Sequence, residues 1–382
     1  MKYFYLTLFL HSFYSGFSQE HLALSGKLLQ ISDSLPIFNA HIYFEGTGIG
    51  TTSNEVGDFY FHFSHKLKNK QIAISAVGFK TVYINYELTN QPLVVYLLED
   101  IQMLDNLTVT AINASQILKN AIINLRANYS QEKVSKEVYY KEEFSINNKP
   151  IRYLEIVATL YTDGFSDKRK NPDSYTMFIE QKRPGFNFDS AFEGGNGIGV
   201  LHWLLWAERY FKKSNLQKFN IELIGYTRYR NEDVYKLRLS EKGQAETFMY
   251  ITQKNYAVVA IDRRFVSNNK SLPSTKQKFR FLEFTLYVDF QKLDDGYWYI
   301  NAINDDRKSI NDKGEVLQTK RLIRVTAVNR DDRPSARNKI SHETDLYRYN
   351  IPYNPEFWNN YNAPPETKEE RKIRKAISGN HN

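Results

Sequence analysis

The chain has 382 residues, no cysteine and a formal net charge of +8. Without cysteine there is no disulfide, thiolate zinc site, iron–sulfur cluster or cysteine nucleophile, and no cysteine to carry a lipid. At roughly 100–200 residues per domain the length predicts two or three domains, and 42% hydrophobic with 25% charged side chains is a folded composition.

With 27 Tyr and 25 Phe the aromatic content reaches 15%, a bias toward strands. Residues 1–18 read as a secretory signal peptide. Lys2 precedes the apolar run Tyr3 to Leu10, and Gly16 and Ser18 are the small residues a signal peptidase needs. His11, Ser12 and Ser15 break the run short of the roughly 20 apolar residues a membrane span requires. The expectation is export to a bacterial envelope without a lipid anchor, so that membrane contact would be peripheral or through a partner.

Residues 19–111 show short runs of period two. Phe59, Phe61 and Phe63 share a face; Ile72, Ile74 and Ala76 follow, then Val82 and Ile84, then Leu93, Val95 and Leu97. Turn signals at Asp33–Pro36, Gly46-Thr47-Gly48, Asn54–Asp58 and Val77-Gly78-Phe79 separate them, which predicts a small antiparallel β-sandwich of six or seven strands. Five segments carry a resemblance in order: Gly26–Leu29, Leu35–Ala40, Gly50–Phe59, Ile74–Phe79 and Leu104–Ala111. Together they resemble the carboxypeptidase regulatory-like domain of the Bacteroidetes type, a transthyretin-like sandwich. The resemblance implies a non-catalytic accessory module at the envelope, of the kind that often precedes the plug of TonB-dependent transporters. No peptidase domain or transporter barrel follows it here.

A linking helix is expected over 112–130, with Ile117, Leu118, Ala121, Ile122 and Leu125 on one stripe and Ser115 as its cap. Residues 131–330 then read as a larger, curved antiparallel sheet of about eight strands, interrupted by an apolar helix at 200–213. The fold class is mainly β. Asn231–Leu237, Thr247–Thr252 and Tyr256–Ile261 resemble the lipoprotein-carrier type of half-barrel. That resemblance implies an apolar ligand under a helical lid, with Leu204, Leu205, Trp206, Phe248 and Tyr250 lining the cavity; a filled core is the alternative. In the tail, 331–382, Phe357 and Trp358 are expected to dock onto the sheet.

Chemistry is sparse. No two histidines have metal-ligand spacing, and no serine-hydrolase elbow or P-loop occurs. Gly194–Gly199 opens a helix but lacks the P-loop lysine. Asp294-Asp295, Asp305-Asp306 and Asp331-Asp332 read as exposed turns. Residues 19–105 hold five lysines against nine acids, and the rest of the mature chain nets +11. The sequence predicts no catalytic residue, no metal and no cofactor. It predicts a non-enzymatic envelope protein whose partner is an apolar or amphipathic ligand or another envelope protein, and not nucleic acid. The alternative is an interaction module with a filled core, accessory to a TonB-linked outer-membrane system.

Overall fold

A computed structural model describes residues 21–86, 92–103, 113–162, 164, 175–187, 219–241, 245–267, 271–273, 279–329, 339–340, 346–347 and 349–378. The expected signal peptide, the loop 194–199 and the helix 200–213 lie outside these residues.

Among the described residues seven strands build the N-terminal unit: β1 (His21–Gln30), β2 (His41–Tyr43), β3 (Gly50–Thr52), β4 (Asp58–Ser64), β5 (Ile72–Ser75), β6 (Val82–Ile84) and β7 (Leu93–Leu97). They form two sheets, ordered β4-β1-β7 and β3-β2-β5-β6. The alternation seen in the sequence sets the core. Phe59, Phe61 and Phe63 point inward, and Phe44 packs on the rings of Phe61 and Phe63 at 5.4 and 5.2 Å. The sandwich is not wholly antiparallel: β7 runs parallel to β1, because the chain crosses from one sheet to the other after β6.

The next strand, β8 (Ile101–Met103), leaves the sandwich and forms an edge of the large sheet. The expected helix follows as two pieces, α1 (Ala114–Ile123) and α2 (Leu125–Asn128). Asn113, not Ser115, caps it, accepting from the Ser115 amide at 2.9 Å. The break falls at Asn124, whose side chain donates to the Asn120 carbonyl at 2.8 Å and so competes with the helical ladder.

The large sheet takes β9 (Val134–Ile146), β10 (Lys149–Thr162), β11 (Tyr175–Asn187), β12 (Phe219–Tyr229), β13 (Glu232–Glu241), β14 (Ala245–Thr252), β15 (Val258–Val266), β16 (Phe279–Lys292), β17 (Trp298–Asn311), β18 (Val316–Asn329) and β19 (Lys339–Ile340). With β8 it counts twelve strands among the described residues, ordered β19-β11-β10-β9-β18-β17-β16-β15-β14-β13-β12-β8, rather than the eight expected. Strands β12 to β18 meander, and β18 closes onto β9, which extends the sheet on its far side through β10 and β11.

Period two gives the curved sheet two unlike faces. Tyr140, Ile323, Ile303, Val288, Ile261, Met249 and Leu237 sit in register across seven strands, all buried. This row shares one core with Ile117, Leu118 and Ala121 of α1. One residue along, Lys141, Leu322, Asn304, Tyr287, Asp262 and Phe248 form the corresponding row on the opposite face. That face receives the sandwich and the tail.

The tail docks through α3 (Pro355–Asn360), with Asn354 capping the Phe357 amide at 3.1 Å and Pro355 in the first turn. Trp358 is buried against Tyr139, Val157 and Leu322, under the Arg183 guanidinium at 4.5 Å. A last helix, α4 (Lys368–Ser378), follows. No described helix is long and apolar enough to cross a membrane. Trp358→Ala removes the tail's anchor. It should cost about 3–5 kcal/mol of stability by urea unfolding, as large-to-small core changes do, and make residues 354–378 sensitive to protease.

Candidate functional site

The two units meet around one carboxylate. Asp289, near the C-terminal end of β16, has no exposed surface. Its Oδ2 accepts from Asn39 Nδ2 at 2.8 Å and from His41 Nε2 at 3.0 Å, both on the sandwich. Its Oδ1 accepts from Asn301 Nδ2 at 2.8 Å, and the same amide lies 2.8 Å from His41 Nδ1. Asn301 carries two hydrogens, so it can serve both acceptors at once. That fixes His41 as the neutral tautomer with its proton on Nε2. Burial holds the His41 imidazole down to about 4, against the pull of Asp289. Burial alone would raise the Asp289 carboxyl, but His41, Asn301 and Arg230 outweigh it and keep it below the ordinary value.

A histidine–aspartate pair is also part of a hydrolase relay. Here His41 is 1% exposed and Asp289 0%, so no substrate atom reaches them, and the pair works as a clasp. Further contacts ring it. Arg230 lies 4.1 Å over the Tyr43 ring and donates to the Tyr229 hydroxyl at 3.1 Å. Asn54 donates to the Pro365 carbonyl at 2.8 Å, and Lys320 pairs with Glu55 at 3.6 Å. The β2–β3 turn lies against the β16–β17 turn: Gly46 has φ +73°, and a Cβ there would sit 2.1 Å from Asp294 Oδ1.

Beside the clasp the units leave a cleft of about 750 Å3. Its walls differ. The sandwich offers an apolar strip, Ile37, Phe38, Ala76, Val77 and Phe79, beside the polar Asn39, Thr52, Ser53, Asn54 and Glu55. The sheet offers the period-two partners of its apolar row, including Lys141, Glu143, Tyr287 and Lys320, together with the Asp262–Arg264 pair at 2.7 Å. The end is closed by the tail, through Thr367 and Glu370. These two form a reciprocal capping box: the Thr367 amide donates to Glu370 Oε2 at 2.6 Å, and the Glu370 amide to Thr367 Oγ1 at 3.1 Å. Lys141 lies between Glu370, in close contact, and Glu143 at 3.7 Å. Burial pushes the Glu143 carboxyl up to about 7, with Lys141 opposing and Glu370 assisting. Among the described residues no group of three His, Asp or Glu side chains is placed to hold a metal ion.

Of the residues singled out for a ligand cavity, Leu204, Leu205 and Trp206 lie outside the described residues. Phe248 and Tyr250 lie together under Lys236, whose Nζ is 5.3 and 5.7 Å from their rings. They belong to the cleft-bearing face, and Tyr250 lines the cleft. One reading of the acidic pairs is corrected. Asp305 is no exposed turn residue: it is 3% exposed, inside β17, and accepts from Arg307 at 2.7 Å and Arg321 at 3.2 Å. A strand core tolerates this carboxylate because two guanidiniums match it. His41, Asn301 and the Lys141–Glu143–Glu370 group were not singled out in the sequence, since no local pattern joins residues this far apart. The one available signal was charge at Lys141 and Glu143, alternating with the buried Tyr140 and Glu142.

Residues 24–109 match the family model described as CarboxypepD_reg-like domain, under a quarter of the chain. No curated protein matches. Among solved structures, a DUF1329 family protein from Desulfovibrio piger is 10% identical, covering 59% of this chain and 96% of that one, with a TM-score of 0.27. A LolA superfamily protein from Nitrosomonas europaea is 12% identical over 59% and 96%, with a TM-score of 0.23. The MucA/MucB complex of Pseudomonas aeruginosa matches at 9% over 58% and 100%, with a TM-score of 0.20. Likeness this low carries no argument about function.

The clasp makes two measurable claims. Asp289→Ala strands three donors and should cost about 3–5 kcal/mol, the loss seen when one partner of a buried pair is removed, with the sandwich unfolding apart from the sheet in calorimetry. His41 stays neutral when folded down to about 4 but titrates at its ordinary 6.5 when unfolded. The unfolded state therefore binds more protons in that window, and stability falls as pH drops through it, by about 3 kcal/mol. Glu143, with its raised value, acts in the opposite sense. Comparing urea midpoints of the wild type and His41→Gln at pH 7.5 and pH 4.5 isolates the histidine: the variant should lose less on acidification.

Proposed function

We propose that this chain is a non-enzymatic, exported envelope protein that binds an amphipathic ligand in the cleft between its sandwich and its large sheet. The observation that carries the reading is the contrast between the cleft walls. An apolar strip from Ile37, Phe38, Val77 and Phe79 faces a sheet surface of paired charges, Lys141 with Glu143 and Glu370, and Arg264 with Asp262. A ligand with a hydrocarbon part and a polar or zwitterionic head satisfies both walls at once, and a volume of about 750 Å3 is that of a small-molecule site. The histidine–aspartate pair is sealed, and the cleft carboxylates Asp262 and Glu370 are held by cations. Binding therefore accounts for the cleft better than a reaction does. Export rests on the leader-like first 18 residues, and the accessory role on the regulatory-like sandwich.

A second reading, an interaction module of a TonB-linked outer-membrane system, is favoured by β7, an edge strand on which Val94 and Tyr96 are 51% and 48% exposed. The cleft reading is tested with a lysophospholipid below its micellar concentration, by calorimetric titration. Saturable binding is expected, weakened at least about fivefold by Phe38→Glu, which puts a charge on the apolar wall. Phe38 is 44% exposed, so the change leaves the fold intact. No saturable heat, or equal affinity in the variant, refutes the reading.

A further inference from the structure

The first turn of α4 stands between two cavities. On one side is the cleft. On the other is a second chamber of about 270 Å3, walled by Phe144, Asn148, Pro150 and Ile373. Glu55, Glu143, Lys320, Thr367 and Glu370 line both, so this turn is a partition that divides one groove in two. It hangs from a firm anchor. Trp358 and Ala363 are buried, Asn362 exchanges hydrogen bonds with the His62 backbone at 2.6 and 2.9 Å, and the Pro365 carbonyl accepts from Asn54 at 2.8 Å. Glu366 follows, 3.8 Å from Arg183. From Thr367 onward the hold is lighter. Lys368, Glu369, Arg371, Lys372 and Arg374 are exposed, and the pairs Lys372–Glu369 at 3.6 Å and Arg374–Glu366 at 2.8 Å stay inside the tail. Glu370 is buried, and its pair with Lys141 ties the helix to the sheet.

That tie carries unbalanced charge. Three carboxylates, Glu55, Glu143 and Glu370, share the two ammonium groups of Lys141 and Lys320. Lys141 lies between Glu143 and Glu370; Lys320, in register with Glu143 on β18, pairs with Glu55 at 3.6 Å. The other neighbours do not restore the balance. Tyr153, in register with Glu143 on β10, stays neutral because burial raises its hydroxyl. Arg152 is held between the Phe144 and Tyr347 rings, 4.8 Å from each, and Glu369 is taken by Lys372. One negative charge is left over in a partly buried place, and a proton removes it. Burial pushes Glu143 up to about 7; Lys141 and Lys320 oppose, and Glu370 assists through its charge and by accepting a hydrogen bond from the protonated carboxyl. Two carboxyls that share a proton attract, and two that are both ionised repel.

We propose that α4 is a latch on the groove, held shut by a proton that Glu143 shares with Glu370 and released when that proton leaves. Release swings the partition about Thr367, and the cleft and the second chamber become one groove. The consequence for a ligand rests on the cleft reading, but the movement does not and is measured without a ligand. A shut latch binds the proton more tightly than an open one, in which Glu143 loses Glu370 and returns to the ordinary value of 4.5. The open form therefore gains as pH rises from 4.5 to about 7, and levels off above.

The chain has no cysteine, so Lys149→Cys and Lys372→Cys place two spin labels without background, one at the start of β10 and one on α4. Pulsed EPR distances in the full chain should show one separation at pH 5 and a second, longer one at pH 8. The open-to-shut ratio should rise by up to about a hundredfold between them. His41, drawn down to about 4, is neutral at both, so the clasp does not contribute. Glu143→Gln keeps a donor for Glu370 and cannot ionise; it should hold the shorter separation at both pH values. Glu369→Gln, exposed on the same helix, should respond as the wild type does. The latch is overturned by one unchanged separation at both pH values, or by a response that survives Glu143→Gln. If the helix moves and lysophospholipid does not bind, the cleft reading fails alone; if the lipid binds while the separation stays fixed, the latch fails alone.

Discussion

A carboxylate with no exposed surface, in the middle of a twelve-stranded sheet, is the constraint on which the rest of this structure depends. Buried charge is tolerable only when hydrogen bonds and nearby opposite charge replace the lost water. Asp289 takes one hydrogen bond from its own sheet, through Asn301, and two from the sandwich, through Asn39 and His41. The sheet therefore cannot satisfy its own interior, and the sandwich is needed to complete it. Arg324, 3% exposed and drawn down to about 9 by burial, with Asp289 opposing, depends on the same carboxylate for counter-charge. The sandwich in turn meets the sheet through Tyr43 under Arg230 and through a glycine turn that leaves room for nothing larger.

The cleft follows from that docking. Two rigid β units held at one polar point and tied again by the tail leave a gap between the point and the tie. Each wall inherits the chemistry of the element that faces it: apolar and polar residues at one end of the sandwich, and the polar half of strands whose other half is core. The same strands thus hold α1 on one face and the cleft on the other. Glu370 closes the end while capping its own helix, so the tail's local structure and its docking to Lys141 share one side chain.

Much of the fold was legible in the residues. The phenylalanine triplet of β4, the stripe Ile117, Leu118, Ala121 and Leu125, the alternation Leu286, Val288 and Phe290, and the docking of Trp358 all appear where the periods put them. Each depends on neighbours within one element, and period is a local property. The strand count, the parallel β1–β7 pair, the departure of β8 and the closure of β18 onto β9 were not legible, since they depend on which edges meet. The site was less legible still. His41 and Asp289 stand 248 positions apart, and Asn39 and Asp289 stand 250 apart. Asp305 looked like a turn residue because Asp-Asp is a turn pattern, and only the approach of Arg307 and Arg321 allows it inside a strand.

The sequence by itself determined the elements and their inward faces, because hydrophobic period, turn chemistry and aromatic placement act over a few residues. It also set what the chain lacks: without cysteine, no thiol chemistry could arise anywhere in the fold. Tertiary structure alone decided which polar residues became a clasp, which became a cleft wall, and which aromatic residues stayed in solvent. Those outcomes follow from burial, and burial is a property of surfaces brought together across the whole length of the chain.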